Sequence, residues 1–569
     1  MLNVEQDTSV TIPSMMAALS KDVSSLKVVH ISLYCYRNFP IRIFHSMTQK
    51  AGADSHAFFL KNSAGNRHKT LTETELDLLI DSIEDLDPDL VTLSVLAPYV
   101  ETAIEVISRV RRISSAPVLV GGKYPTINPQ GALKFADYVC KQEGEFVFLE
   151  VLDRLAKGQD LTGITGLWHM DENGDPVDMG QQSLIQNLDE VPAQAVGAPN
   201  MYFIEDDRLT EADPEANTPM IFVMAGRGCV YQCTFCVNSL LIPMNKGNGK
   251  FVRILSPEMI IREIEDRVAL LPAEMRERAY VDFGDEIFGV MKDWTAEFVE
   301  LYKERINLPF SCEMIPKLIK EENIEILAEV GLSELNFGIQ SGVDEIRKDT
   351  FNRPGNNVEL VEKAEILNRH NVLPRYDIIL QNPFETAEML HETLKLLDQF
   401  PHPISMNVFR LQFFPHYPIT LEALKKGIIT EADLTHEKVA EMTMKNWNFK
   451  PAGGTFDKKA QYENAIFLLG WAGNSFNRWL CRMFSNHPNH VFGLTIGLLA
   501  EFFYRVETGN TNFARWMRRG RAATSLILSG NFKELFKSTA RMTKRIFSSP
   551  TNTCLKGTEL AHSQRAEEH

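Results

Sequence analysis

Between Leu26 and about Leu155, short apolar runs alternate with amphipathic stretches at helical spacing, and no other feature limits the fold of this chain so strongly. The order reads strand Lys27 to Leu33, helix Ile41 to Ala51, strand Ala57 to Leu60, helix Glu73 to Leu86 and strand Leu90 to Val95. It continues with helix Tyr99 to Arg112, strand Val118 to Val120, helix Pro129 to Phe135, a short strand Tyr138 to Cys140 and helix Glu145 to Leu155. Repeated strand and helix units of this length imply a parallel sheet covered on both faces. Such sheets bind ligands at the carboxyl ends of their strands. Those ends carry Ser94, the pair Gly121-Gly122 followed by Lys123-Tyr124-Pro125-Thr126, and Gln142-Glu143-Gly144-Glu145. Two glycines after a buried strand let the backbone come close to a bulky ligand.

A second strand and helix series starts near Pro219 and fits a partial (β/α) barrel. Its strands are expected at Ile221 to Ala225, Ala279 to Phe283, Phe310 to Met314, Glu334 to Ile339, Arg375 to Leu380 and Asn407 to Phe414. Helix Pro257 to Leu271 follows the first strand, with Ser256 as its N-cap. Barrels of this kind place their active sites at the carboxyl ends of the strands. The expected layout of the 569 residues is an extension 1–25, a parallel-sheet domain 26–158, a structured linker 159–218, a barrel 219–428 and a mainly helical domain 429–569. The linker includes a small hairpin around Gly163 to Trp168 and the turn Asp171 to Asp175.

The first barrel strand delivers Gly226-Arg227-Gly228-Cys229-Val230-Tyr231-Gln232-Cys233-Thr234-Phe235-Cys236. A Cys-x3-Cys-x2-Cys loop offers three thiolates to a [4Fe-4S] cluster and leaves one iron open for another ligand. Zinc needs a fourth Cys or His at short spacing, and the next histidine downstream is the distant His370. The odd number in the loop argues against a disulfide, and Cys35, Cys140, Cys312, Cys481 and Cys554 are scattered singly, as in a reducing, cytoplasmic setting.

With Phe235 before its third cysteine, the loop resembles the signature of the radical S-adenosylmethionine (radical SAM) enzymes. The resemblance implies that Cys229, Cys233 and Cys236 hold the cluster while SAM chelates the fourth iron. Gly284-Asp285-Glu286-Ile287-Phe288 is similar to the family's Phe-x-Asp-Asp-x-Phe, with Glu286 in place of the second aspartate. Asp285 is expected to accept a charge-assisted hydrogen bond from the SAM ammonium group. Ile339-Gln340-Ser341-Gly342 resembles Gly-Ile-Glu-Ser-Gly, and Gln381-Asn382-Pro383-Phe384-Glu385-Thr386 resembles Gly-x-Pro-Gly-Glu-Thr with both glycines replaced. Arg347 and Arg353 stand where relatives show arginines. The SAM set implied is Phe235, Gly284, Asp285, Gln340, Ser341 and Gln381.

The first domain resembles the flavodoxin-like cobalamin-binding domain that precedes many such barrels, through Gly-Gly-x-x-Pro-Thr and Asp-x-Val-x-x-x-Glu-Gly-Glu starting at Asp137. The fold implied is a Rossmann-like parallel sheet, a partial (β/α)6 TIM-like barrel and a helical C-terminal domain. Ser94, Gly121, Gly122, Pro125, Thr126, Glu143, Gly144, Tyr34 and Arg37 are the cobalamin residues implied. Mutases carry a cobalt-ligating histidine after the first strand, but here that loop reads Tyr34-Cys35-Tyr36-Arg37-Asn38-Phe39-Pro40. Asp54-Ser55-His56 lacks the glycine of that motif and is read as a chance match. Arg37, Arg67 and His68 are loop candidates for the lower face.

A net charge of −16 argues against general nucleic-acid affinity, and no apolar run reaches the ~20 residues of a membrane span. From Arg505 to Arg545 ten Lys or Arg face only Glu507 and Glu534. With Phe513, Trp516, Leu535, Phe536, Ile546 and Phe547 interleaved, segment 505–547 is either a solvated basic face or a contact to an anionic membrane or acidic substrate. The family implies a cobalamin-dependent methyltransferase acting on a small molecule or peptide, with a flavodoxin- or ferredoxin-type electron donor. The alternatives are a cobalamin-assisted cyclase, rearrangement or oxidation enzyme, and a non-catalytic iron-sulfur sensor.

Overall fold

The computed structural model describes residues 10–62, 69–402, 404–446, 449–472 and 475–509. Arg67, His68, Cys554 and residues 510–547 of the basic segment therefore lie outside the described residues.

The first sheet is built from β1 (Lys27–Leu33), β2 (Asp54–Leu60), β3 (Leu90–Ser94), β4 (Val118–Gly121) and β5 (Tyr138–Cys140), mutually parallel in the order β5-β4-β3-β1-β2. Every residue of β1 after Lys27 is buried, as a strand covered on both faces requires. Two apolar cores flank this sheet, one around Val91, Leu93 and Val120 and the other around Val28, Leu119 and Phe148. One expected helix is shorter: Pro129 opens only Pro129–Ala132, capped by the Asn128 side chain and preceded by a separate turn Lys123–Ile127.

Segment 159–218 extends this sheet at both edges. β6 (Leu167–Met170) and β7 (Pro176–Asp178) form an antiparallel hairpin on β5, while β8 (Met201–Glu205) runs parallel to β2 and turns back into β9 (Arg208–Thr210). The result is nine strands in the order β7-β6-β5-β4-β3-β1-β2-β8-β9. Asp171 makes the hairpin turn by accepting the amides of Asn173 and Asp175.

The second sheet is β10 (Met220–Val223), then, beyond a ribbon of β11 (Gly226–Arg227) and β12 (Arg253–Ile254), β13 (Tyr280–Phe283), β14 (Phe310–Glu313), β15 (Leu332–Gln340), β16 (Leu373–Leu380) and β17 (Ser405–Arg410). Its six strands are all parallel and follow chain order, which makes an open barrel. Ser256 caps helix Pro257–Leu270, its hydroxyl accepting the Met259 amide at 3.3 Å. Cys312 is 2% exposed in the barrel core.

That core does not stop at the barrel. Tyr462, Ile466, Leu469 and Phe484 belong to the same apolar cluster as Phe337 and Leu394, so helices Lys458–Ala472 and Ser475–Asn486 close the barrel's flank. Helix His436–Asn446 reaches the first domain, where Tyr124 Oη lies 2.6 Å from His436 Nε2. Among the described residues no helix is long and apolar enough to cross a membrane.

Candidate active site

The cysteine loop leaves the barrel through the ribbon of β11 and β12, and two glycines make that exit possible. At Gly228 φ is +93°, and a Cβ there would lie 2.5 Å from the Phe251 carbonyl oxygen. At Gly226 it would lie 2.8 Å from the Arg253 carbonyl oxygen. Beyond them the Cys236 amide donates to the Cys233 carbonyl at 2.9 Å and the Tyr231 amide to Cys229 Sγ at 3.4 Å. Arg353 Nη1 points at Cys233 Sγ from 3.6 Å while its Nη2 donates to the Gly338 carbonyl at 2.9 Å. Phe235 packs edge-on against Phe351 at 4.9 Å, under the loop.

Burial, then the nearby Glu286 and the other two thiols, pushes the Cys229 thiol up to about 11, and burial raises Cys236 as well. Thiolates in such a place need a positive centre to replace the lost water. Among the described residues no three His, Cys, Asp or Glu side chains are gathered around one point as for a single metal ion. Three thiols on one loop, with no imidazole among them, suit a wider cluster, which is spanned rather than enclosed by its ligands. The donor set therefore fits a [4Fe-4S] cluster.

The two carboxylates after β13 have separate surroundings. Asp285 is 2% exposed, its Oδ2 accepts the Ala225 amide at 3.0 Å, and burial pushes its carboxyl up to about 7. It braces the loop from beneath. Glu286 instead reaches the space above, accepting from Asn238 Nδ2 at 2.7 Å and lying 3.9 Å from Lys123 Nζ of the first domain. Gly284 has the Phe222 ring where a Cβ would stand, at 2.3 Å. Further round the barrel, Gln340 and Gln381 stand at the ends of adjacent strands with φ of +66° and +50°, a left-handed conformation uncommon in residues other than glycine. Ser341 Oγ donates to Glu385 Oε1 at 2.6 Å, and burial pushes that carboxyl up to about 6.

Facing the loop, Ser94, Gly121, Gly122, Thr126, Glu143 and Gly144 line a cavity of about 610 Å³ whose other wall includes Gly226, Arg227, Gly228 and Glu286. Its volume is in the range of small-molecule sites. Gly122 has φ +104° with the Val95 carbonyl oxygen 2.8 Å from any Cβ, so the turn after β4 admits only glycine without strain. Thr126 Oγ1 accepts the Gln142 amide at 2.9 Å. The Gln142 side chain, which also lines the cavity, has both amide atoms buried without a hydrogen-bond partner among the described residues. An orphaned amide beside a glycine turn suits a large ligand rimmed with amides, as cobalamin is. Among the described residues no histidine lines the cavity.

Three expected cobalamin residues stand apart from the cavity lining. Pro125 is buried behind the turn. Tyr34 is 2% exposed, its ring against Tyr99 at 4.9 Å and its hydroxyl 3.3 Å from Thr102 Oγ1. Arg37 lies over the Phe222 ring at 5.6 Å, with Nε 3.8 Å from the buried Glu215. Glu143 lines the cavity but spends its carboxylate on Arg227, Arg253 and the Ile185 amide, at 2.9, 2.7 and 2.8 Å. Burial opposes its ionisation, yet the two arginines outweigh that and hold its carboxyl below the usual range.

Sequence reasoning missed Gln142, Glu145, Arg227 and Arg253, and also Glu463, whose Oε1 accepts the Gln381 amide at 2.9 Å from the C-terminal helix. Glu145 stood inside the Glu-Gly-Glu motif already read, and Gln142 and Arg227 adjoin such motifs, whereas Arg253 and Glu463 carried no local signal.

The B12 binding domain matches residues 30–152 and the Radical SAM superfamily matches residues 223–397. An uncharacterised methyltransferase of Pyrococcus horikoshii is 27% identical over 320 residues, 55% of this chain and 64% of its own length. The 4'-phospho-dehydrooxetanocin synthase of Priestia megaterium is 23% identical over 298 residues, 47% of this chain and 37% of its own. The chain thus spans less than two thirds of either relative. In fold it is similar to the radical SAM methyltransferase TsrM of Kitasatospora setae, solved with cobalamin and a [4Fe-4S] cluster bound. That likeness has a TM-score of 0.59 at 15% identity and covers 87% of this chain and all of TsrM.

Proposed function

We propose, from the premise that this chain belongs to the cobalamin-dependent radical SAM enzymes, that it is a methyltransferase carrying a methyl group from SAM, by way of cobalamin, to an unactivated carbon or phosphorus of a small molecule or peptide. The observation that carries this reading is the shared cavity, which has the Gly121-Gly122 turn on one wall and the approach to the cysteine loop on the other. A methyl carrier bound there would lie against the Gly226-Arg227-Gly228 approach to Cys229.

When bound, the reduced cluster supplies the electron that cleaves SAM to a carbon radical, and cobalamin supplies the methyl carrier. Cys229, Cys233 and Cys236 would hold the cluster, and Asp285, through the Ala225 amide, fixes the strand end from which their loop springs. Gly284, Gln340, Ser341 and Gln381, at the strand ends of the barrel mouth, would bind SAM. Ser94, Gly121, Gly122, Thr126, Gln142 and Gly144 would hold cobalamin. Phe39, Phe44, Leu93 and Leu119 exclude water from the same cavity. The electron donor is of flavodoxin or ferredoxin type, and the setting is cytoplasmic.

The similarity to the Priestia synthase favours a second reading, the same cofactors without methyl transfer. Anaerobic protein loaded with iron, sulfide and cobalamin separates the two when given reductant, SAM with a deuterated methyl group and a small-molecule extract of the source cells. Formation of 5′-deoxyadenosine together with a deuterium-labelled product supports methyl transfer. Formation of 5′-deoxyadenosine with no labelled product overturns it.

A further inference from the structure

Arg227 stands two residues before Cys229, on the ribbon where it pairs with Arg253. Its guanidinium forks between two carboxylates of the first domain, with Nη1 2.9 Å from Glu143 Oε1 and Nη2 2.6 Å from Glu145 Oε1. Across the ribbon Arg253 Nη1 takes the other oxygen of Glu143, at 2.7 Å. Two positive and two negative groups thus neutralise one another. Their side chains are 25% exposed for Arg227, 15% for Glu143, 6% for Glu145 and 5% for Arg253.

Such a quartet is a poor explanation of adhesion alone. Desolvation of four charges offsets much of their attraction, and apolar side chains of similar volume hold two domains together as well or better. What a planar fork adds is register, because both bonds of Arg227 are made at only one orientation of the ribbon. Gly144, between the two glutamates, lines the same cavity as the Gly121-Gly122 turn. One guanidinium therefore ties the floor of that cavity to the strand that carries the cysteines.

We propose that Arg227 is a positioning residue that couples the two halves of the site, so that occupation of the cavity orders the Glu143-Gly144-Glu145 segment and, through it, the cysteine loop. This rests on the reading above of which cofactor each half holds. Thermodynamic linkage makes the coupling reciprocal, so loading the cysteine loop must tighten binding in the cavity by the same factor.

The test is a titration of the full chain with aquocobalamin, followed by absorbance under anaerobic conditions, with and without a reconstituted cluster. Binding is expected to be about tenfold tighter with the cluster in place. The ratio falls towards one in Arg227→Lys, which keeps the charge and loses the fork. It falls likewise in Glu145→Gln/Arg227→Gln, which leaves no unpaired charge and unfolds within a few degrees of the parent. A ratio of one in the parent, or a ratio that persists in both variants, overturns the proposal. Should the parent take up no cobalamin at all, the functional reading fails and the coupling falls with it.

Discussion

Asp285 Oδ2 accepts the amide proton of Ala225 at 3.0 Å, so the carboxylate at the end of one barrel strand fastens the end of its neighbour, a few residues before Cys229. Removing that acceptor leaves a buried amide unpaired, at a cost of about 1–3 kcal/mol. Asp285→Ala is therefore expected to lower the thermal midpoint by several degrees and to at least halve the iron taken up on reconstitution. Asp285→Asn keeps an acceptor oxygen and retains most of both. Equal iron content in all three proteins would refute the role.

Cys233→Ala deletes the most buried of the three thiols, at 4% exposure. The broad visible absorption of a reconstituted cluster is expected to fall, and 5′-deoxyadenosine production to drop to background. Cobalamin uptake persists at reduced affinity, and the far-ultraviolet circular dichroism stays that of the parent.

Gly122→Ala and Gly158→Ala separate crowding from backbone strain. Both glycines have positive φ, +104° and +63°, but an added Cβ meets the Val95 carbonyl at 2.8 Å in the first case and nothing within 4 Å in the second. The control should cost about 1 kcal/mol and leave cobalamin binding unchanged. Gly122→Ala should cost about 1–3 kcal/mol and weaken cobalamin binding at least tenfold by equilibrium titration.

The first domain buries two neutral histidines. His30 bonds Thr92 Oγ1 and Thr48 Oγ1 at 2.8 and 3.1 Å, and His45 bonds Ser55 Oγ at 2.7 Å and the Pro199 carbonyl at 3.1 Å. Burial pulls His30 well below 6.5 and His45 to about 4. Below about pH 6.5 the unfolded chain binds protons that the folded chain refuses, so stability falls as pH drops from there towards 4. For His45 the loss between pH 6.5 and 5 is about 2 kcal/mol. His45→Gln should shrink the difference in thermal midpoint between pH 7.5 and 5, and an unchanged difference would contradict the assignment.

Glu463 works with the opposite sign. Burial pushes its carboxyl up to about 7, so the folded state loses stability as pH rises from about 4.5 through 7. Glu463→Gln keeps an acceptor for the Gln381 amide without the charge. It is expected to raise the thermal midpoint at pH 8 and to leave it nearly unchanged at pH 4, where the parent carboxyl is largely protonated folded or unfolded, whereas Glu463→Ala lowers it at pH 4.

Much of this architecture was legible because it is written locally. Strand and helix periods located β1–β5 and the six barrel strands, since a strand covered on both faces must be apolar throughout and that shows within a few residues. The glycines of the turn after β4 and of the approach to Cys229 were legible for the same reason: a close backbone approach excludes any Cβ wherever the rest of the chain lies. Segment 159–218 was less so, because β8 and β9 are short and gain their meaning only from the sheet edge they join.

The sequence alone determined the spacing of Cys229, Cys233 and Cys236 that underlies the proposed donor set, their position after a strand, and the glycine turn of the first domain. Tertiary structure decided how acidic and basic groups were shared out. Glu143 and Arg227 are 84 residues apart, and Gln381 and Glu463 are 82 apart. A charged or amide side chain has the same local signature whether it meets a cofactor, a neighbouring domain or water. Its role here follows from the way two sheets and a C-terminal helix pack around one cavity, and packing is a property of the whole chain.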